Sequence, residues 1–164
     1  MDPLFRAIEA SGLSLWVRGS SYAFPALIVL HTLGMGFLAG LAAMIDLRLL
    51  GLARRVPLPP LARLFPGLWL AFGVNLVSGL LLLIGYPTKA LTNPVFYLKL
   101  GLIVVAVGLL PAIRAELVRA GPDPTVRAKR LAAASLILWL AIITAGRLLA
   151  YTHTRMLVDL KAHF

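Results

Sequence analysis

Four long apolar runs, separated by short polar segments, dominate the pattern of this chain. The runs cover about residues 20–45, 65–86, 94–113 and 131–151. Each is about as long as the roughly 20 residues that an α-helix needs to cross a bilayer core of about 30 Å. The pattern therefore predicts an all-α polytopic membrane protein, a bundle of four transmembrane helices that forms a single membrane domain over residues 1–164.

The segment before the first run mixes apolar and polar residues. Residues 3–17 include Leu4, Phe5 and Trp16 but also charged side chains such as Glu9. This segment is too polar to cross a bilayer and predicts a short amphipathic helix that lies in the membrane interface. Because Asp2 and Glu9 oppose the basic start of a signal peptide, we expect the segment to remain in the mature protein.

Composition excludes several classes of protein. Hydrophobic residues make up 60% of the chain and charged residues 13%, more apolar side chain than a soluble domain of this size can bury. The net charge is +10, but the basic residues lie in short loops and not in a patch with aromatic residues, so nucleic-acid binding is not expected. The absence of cysteine excludes thiolate metal sites, Fe–S clusters and covalently attached c-type haem.

The basic residues also predict an orientation. Nine of them lie in the loops that follow the first and third runs, and six lie on the other side of the membrane. Because basic residues are enriched on the cytoplasmic side, both termini are expected on the outer, periplasmic side of a bacterial inner membrane. The nine are Arg48, Arg54, Arg55, Arg63, Arg114, Arg119, Arg127, Lys129 and Arg130, and the six are Arg6, Arg18, Lys89, Lys99, Arg155 and Lys161.

One histidine stands out in the first run. His31 lies near the middle of a stretch without formal charge and is followed by Gly34, Gly36 and Gly40. Lipid offers an imidazole no hydrogen-bond partner. In one interpretation His31 is an axial ligand of haem b, and Gly34 leaves room for the flat macrocycle. In the other, His31 bonds across the bundle while Gly36 and Gly40 pack against a neighbouring helix.

Two basic residues near the ends of the runs are candidate partners of an anionic group. Arg147 lies inside the fourth run, and none of the four predicted spans contains an acidic residue. Its counter-ion could be a haem propionate, a lipid headgroup or a carboxylate of another subunit, unless the side chain extends to the surface. Lys99, at the start of the third run, could serve an anionic group from the same side.

His153 is a possible second haem ligand at the end of the fourth run. His31, however, lies thirteen residues beyond Arg18, roughly 20 Å along a helix, whereas His153 is near the surface. This difference in depth weighs against one haem held by both, and by depth Arg147 is the better neighbour of His31.

Two further patterns concern the second and third runs. Asn75, Ser78 and Gly79 share one face of a helix by their spacing, and Asn93-Pro94 predicts the start of the third helix.

The chain has no Gly-rich phosphate loop, no His-Glu-x-x-His, no paired intramembrane carboxylates and no Ser/His/Asp set in a supporting context. No internal repeat is evident, which weighs against a repeat-built transporter.

Four blocks of sequence resemble an uncharacterised family of small four-helix bacterial inner-membrane proteins. They are Phe24-Pro25 followed by residues 29–34 (VLHTLG), residues 46–51 (DLRLLG), residues 96–100 (FYLKL) and residues 145–147 (AGR). The resemblance implies the four-helix fold and the location in the inner membrane. A looser likeness to haem-b membrane cytochromes and CopD-type proteins depends on the helix count and His31.

Three functions follow as hypotheses. In the leading one, the protein binds haem b through His31, with His153, Arg147, Lys99 and Gly34 completing the site, and passes electrons between the quinone pool and a partner on the outer face. In the alternative, it is a cofactor-free subunit that anchors or stabilises a larger membrane complex or a homo-oligomer. The third is a small carrier or metal-handling permease.

Overall fold

The computed structural model describes the backbone of residues 3–119 and 123–162, and the side chains of these residues except 150 and 153–162. This part of the chain is helical and contains no strand. Four helical segments are long and apolar enough to cross a membrane: Ala23–Leu49, Pro59–Gly85, Pro94–Arg119 and Val126–Leu149. The predicted all-α bundle of four transmembrane helices is thus confirmed. In order, the helices are α1 (Pro3–Glu9), α2 (Gly12–Gly19), α3 (Ala23–Leu49), a 3-10 helix (Pro59–Leu64), α4 (Phe65–Gly85), α5 (Pro87–Leu91), α6 (Pro94–Arg119) and α7 (Val126–Ala162).

The long helices are arranged in the order α4, α3, α7, α6. Helix α3 packs against both α4 and α7, and α7 packs against α6. In the described chain α4 and α6 are not packed neighbours, although the 3-10 helix before α4 contacts α6. We call the end of the bundle that holds α1, α2 and α5 the N-terminal end, and the opposite end, with residues 50–58, the loop end.

The apolar core lies at the loop end and the centre of the bundle. Every helix of the bundle contributes fully buried side chains there, and the 3-10 helix closes it. Since lipid is as apolar as these residues, van der Waals packing and not the hydrophobic effect holds them together. The buried set includes Leu38, Ile45, Leu49, Leu58, Phe65, Leu68, Leu110, Ile113, Leu117, Trp139 and Ile142.

The N-terminal segment forms two helices where the sequence predicted one. Ser11 separates them and caps α2, because its Oγ accepts a hydrogen bond from the Ser14 amide at 3.3 Å. Helix α2 then docks on the end of α4: Val17 is fully buried, and the Ser14 hydroxyl donates to the Gly85 carbonyl at 3.5 Å. A Cβ atom at Gly85 would lie only 2.8 Å from Val17 Cγ1, so glycine allows this contact.

Helix α3 extends past the predicted end of the first span. Asp46 and Arg48, which follow the predicted end of the span at residue 45, lie within the helix and are only 1% and 5% exposed. The expectation that the spans contain no acidic residue is therefore wrong. Arg48 is buried because the following loop folds back over it: Nε donates to the Val56 carbonyl at 2.5 Å and Nη2 to the Arg54 carbonyl at 3.2 Å. The helix ends before Gly51, whose φ of +104° suits glycine.

Helices α6 and α7 are also longer than their apolar runs. Helix α6 continues to Arg119 through Pro111, and α7 begins at Val126 and reaches Ala162. A helix can continue through charged residues, so the length of an apolar run predicts only the part of the helix that faces lipid and not where the helix ends. The start of α6 was predicted correctly: it begins at Pro94, and the Asn93 side chain accepts a hydrogen bond from the Val95 amide at 3.0 Å.

Candidate functional site

His31 lies about two turns inside α3 and is held by α4. Its Nδ1 is 3.0 Å from the Asn75 carbonyl oxygen and 3.2 Å from Ser78 Oγ. A carbonyl oxygen only accepts hydrogen bonds, so Nδ1 carries the proton of the neutral ring and donates it. The Ser78 hydroxyl in turn donates to the Val74 carbonyl at 2.7 Å. Nε2 makes no hydrogen bond with the described residues, and its lone pair is available to a ligand.

The contact between α3 and α4 at this level is reciprocal. The Asn75 side chain donates from Nδ2 to the His31 carbonyl at 2.7 Å, while the His31 ring donates to the Asn75 carbonyl. The two backbones come close because Gly34, one turn further along α3, has no side chain. A Cβ atom there would lie 3.1 Å from the Asn75 nitrogen and 3.3 Å from the Ala71 oxygen.

A cavity of about 830 Å³ lies beside His31 at the N-terminal end of the bundle. It occupies the space between α4 and α6, where these helices are not packed together, with α3 and α7 behind and α5 at its end. The volume is within the range of about 300–1,000 Å³ for small-molecule and cofactor sites. Most of its lining is apolar, and includes Phe24, Ile28, Phe72, Leu76, Leu80, Leu83, Phe96, Leu100 and Ile103.

Lys89 and Lys99 give the cavity a positive charge. Both line it, and its lining contains no acidic residue. Lys99 is half-buried beside Gly146 of α7: a Cβ atom added to that glycine would lie 3.7 Å from the Lys99 Nζ. In the described chain neither lysine forms an ion pair. Lys89 is exposed, but the half-buried Lys99 ammonium is partly desolvated without a counter-ion, which is costly, so the cavity favours a ligand with an anionic group.

Helix α5, which carries Lys89, is tied to the N-terminal segment. The Thr88 hydroxyl donates to Glu9 Oε1 of α1 at 2.7 Å. Tyr86, just before α5, contacts Phe24 of α3 edge to face with ring centroids 5.3 Å apart, a favourable aromatic geometry. These contacts fix the end of the cavity.

The predicted site residues divide into three groups. His31 and Lys99 both line the cavity. Gly34 instead packs on α4, and Arg147 is exposed on α7 and does not line the cavity. The side chain of His153 lies outside the described residues.

Gly36 and Gly40, which were expected to pack against a neighbouring helix, do not contact one in the described chain. Cβ atoms added to Gly36 or Gly40 would meet nothing within 4 Å in the described chain. The close contact between helices is at Gly34 instead, and His31 does bond across the bundle. Within the described residues no group of three His, Cys, Asp or Glu side chains could hold a metal ion.

Sequence reasoning missed how the parts meet. The face formed by Asn75, Ser78 and Gly79 was recognised but not linked to His31, which it contacts: a Cβ atom at Gly79 would lie 3.0 Å from His31 Cε1. The sequence did contain a signal for this contact. The polar face of α4 and the histidine of α3 each need a hydrogen-bond partner within an apolar bilayer, and each can supply one to the other.

A group of buried polar side chains toward the loop end of the bundle was also missed. Ser135 of α7 lies beside the Asp46 carboxyl group. Asp46 Oδ2, Ser135 Oγ and Trp139 Nε1 are buried and have no hydrogen-bond partner of normal geometry in the described chain. Asp46 was left out of the first predicted span because it is the first charged residue after the apolar run that ends at residue 45.

Comparison of the chain with protein-family models, curated proteins and solved structures finds no match. The geometry of the cavity therefore carries the functional argument.

Proposed function

We propose that this protein is an electron-transfer protein of the membrane that binds haem b in the cavity beside His31. The observation that carries the proposal is the bonding of His31. Its Nδ1 donates to a backbone carbonyl, at 3.0 Å from the Asn75 oxygen, which leaves Nε2 as the ligand. Metal-bound histidines characteristically donate their other ring N–H to a carbonyl or carboxylate, which fixes the orientation of the ring.

The other walls of the cavity are compatible with the same ligand. Apolar side chains from four helices suit a flat macrocycle, and Gly79, which has no side chain, lets the imidazole lie close to α4. Lys99 and Lys89 would pair with the propionates. Of the two basic residues expected to pair with an anionic group, Lys99 lines the cavity and Arg147 does not. When bound, haem supplies a one-electron iron couple.

The remaining parts of the proposal concern the partners. The cavity lies between α4 and α6, two helices that are not packed neighbours, and this supports exchange of electrons with a lipid-soluble quinone. His153 remains the candidate second ligand. Three of the four blocks that resemble the inner-membrane family contribute residues to the cavity, namely His31, Lys99 and Gly146. Membership of that family and a location in the bacterial inner membrane are part of the proposal.

Absorption spectra of detergent-purified protein test the proposal. We expect a Soret band and sharp bands on dithionite reduction in protein expressed with added haem precursor. His31→Ala should lose these bands and regain them with added imidazole, whereas Thr32→Ala, a matched exposed neighbour in α3, should keep them. Lys99→Gln should keep the spectrum but release haem faster.

Two results would contradict the proposal. One is a featureless spectrum from helical, monodisperse wild-type protein after haem supplementation. The other is an unchanged spectrum of His31→Ala. Colourless protein that co-purifies with other membrane subunits would favour the alternative of a cofactor-free anchoring subunit.

A further inference from the structure

A second hollow, of about 400 Å³, lies at the loop end of the bundle, also between α4 and α6. Phe65 and Trp69 of α4 form one side. Pro111, Arg114, Val118 and Arg119 of α6 form the other. We call this hollow the loop-end groove. It is separate from the cavity beside His31 and shares no lining residue with it.

The loop-end groove carries two positive charges that have no ion-pair partner among the described residues. Arg114 and Arg119 are exposed, and neither forms an ion pair with the described residues. The ion pair found there joins Arg127 to Glu116 at 3.6 Å, and no acidic side chain lines the groove. Two arginines that line the same hollow are suited to bind a phosphate, which accepts several charge-assisted hydrogen bonds at once.

The position of the groove along the bundle indicates where the phosphate comes from. Trp69 is 45% exposed one turn into α4 and contacts Phe72 edge to face at 5.9 Å. Tryptophan at a helix end lies at the level of the lipid headgroups. From Arg114 the wall of the groove continues toward the middle of α6 at Pro111, which is exposed. A headgroup can thus meet the arginines while its acyl chains stay in the bilayer.

We propose that the loop-end groove binds an anionic phospholipid, with its phosphodiester on Arg114 and Arg119 and an acyl chain along Trp69 and Pro111. Basic pockets between transmembrane helices recognise anionic headgroups by this combination of charge and apolar wall. This lipid site is independent of haem binding.

Native mass spectrometry of the full-length protein in mild detergent tests this proposal, with titration of phosphatidylglycerol or phosphatidylcholine. We expect wild-type protein to retain phosphatidylglycerol in preference to phosphatidylcholine. Each basic residue near an anionic headgroup is worth about fivefold in affinity, so Arg114→Gln/Arg119→Gln should weaken phosphatidylglycerol binding by about 25-fold. Arg63→Gln/Arg130→Gln changes the net charge equally at exposed residues outside the groove and should leave binding within about twofold.

Three results would overturn the proposal. They are equal retention of the two lipids by wild-type protein, unchanged phosphatidylglycerol binding in the groove variant, and an equal loss of binding in the control variant. Displacement of the lipid by millimolar inorganic phosphate would instead identify a site for the free anion. Circular dichroism on each variant establishes that the helices are intact before the affinities are compared.

Discussion

Gly34 is the position where one added methyl group should most clearly damage the bundle. It lies in α3 against α4, and the Cβ atom of Gly34→Ala would be 3.1 Å from the Asn75 nitrogen and 3.3 Å from both the Ala71 oxygen and Asn75 Cα. All three atoms belong to the backbone of α4, so no side chain can rotate away. The two helices would have to separate.

The magnitude follows from these distances. Carbon contacts are most favourable at about 3.5–4.0 Å, so α3 and α4 must move apart by a few tenths of an ångström. Overpacking of this kind costs about 1–3 kcal/mol. The same shift lengthens the hydrogen bonds of 2.7 and 3.0 Å that join His31 and Asn75. The higher helix propensity of alanine returns up to about 1 kcal/mol, which leaves a net loss of about 1–2 kcal/mol.

The same helix provides matched controls. Cβ atoms at Gly36 or Gly40 would meet nothing within 4 Å in the described chain, so Gly36→Ala and Gly40→Ala should gain about 0.5–1 kcal/mol from helix propensity alone. Reversible unfolding in mixed micelles of mild detergent and dodecyl sulfate, followed by circular dichroism, measures the three variants on one scale. Gly34→Ala should lie about 2–3 kcal/mol below the controls.

Equal stability of the three alanine variants would refute this reasoning, because it would mean that α3 and α4 are not in close backbone contact at Gly34. A loss in all three variants would also contradict it. That result would place Gly36 and Gly40 against something outside the described chain, such as a second copy or another subunit.

Three other predictions address the ends of the bundle. Asn93→Ala removes both the cap on Val95 and the 2.8 Å bond to Thr152, and should lower the free energy of unfolding by about 1–2 kcal/mol; unchanged stability would contradict the capping role. Arg48→Ala leaves the Val56 carbonyl without its charged donor and should cost about 2–3 kcal/mol in the same unfolding assay. A periplasm-specific reporter enzyme fused after the last residue should be active if both termini face outward, and an active cytoplasm-specific reporter would reverse this orientation.

The helices were predictable because each depends on a local pattern. Lipid imposes a minimum apolar length, and Asn93-Pro94 determines the start of α6 through a cap that involves neighbouring residues. The true end of α3 was not predictable from hydropathy, since Arg48 is covered by a loop that folds back over it and Asp46 is buried beside Ser135 of α7. Only the tertiary structure reveals these contacts.

The candidate site was predictable in its parts but not in its assembly. His31 and Lys99 stand out because polar side chains in an apolar run need a partner. Sequence cannot tell which helices are neighbours, so Arg147 was placed near His31, although the structure puts Gly146 at the cavity and leaves Arg147 outside. The cavity exists because α4 and α6 do not pack against each other. That depends on the arrangement of all four helices, which the sequence does not reveal.

The reciprocal bonds between His31 and Asn75 also determine the register of α3 and α4. Apolar side chains in lipid give little preference for one longitudinal alignment of two helices, but a shift by a single turn would break both bonds at once. The imidazole is therefore oriented before any ligand arrives, as part of the alignment of the bundle itself. A ligand at Nε2 would meet a ring that has little rotational freedom left to lose, and preorganisation of this kind increases affinity without additional contacts.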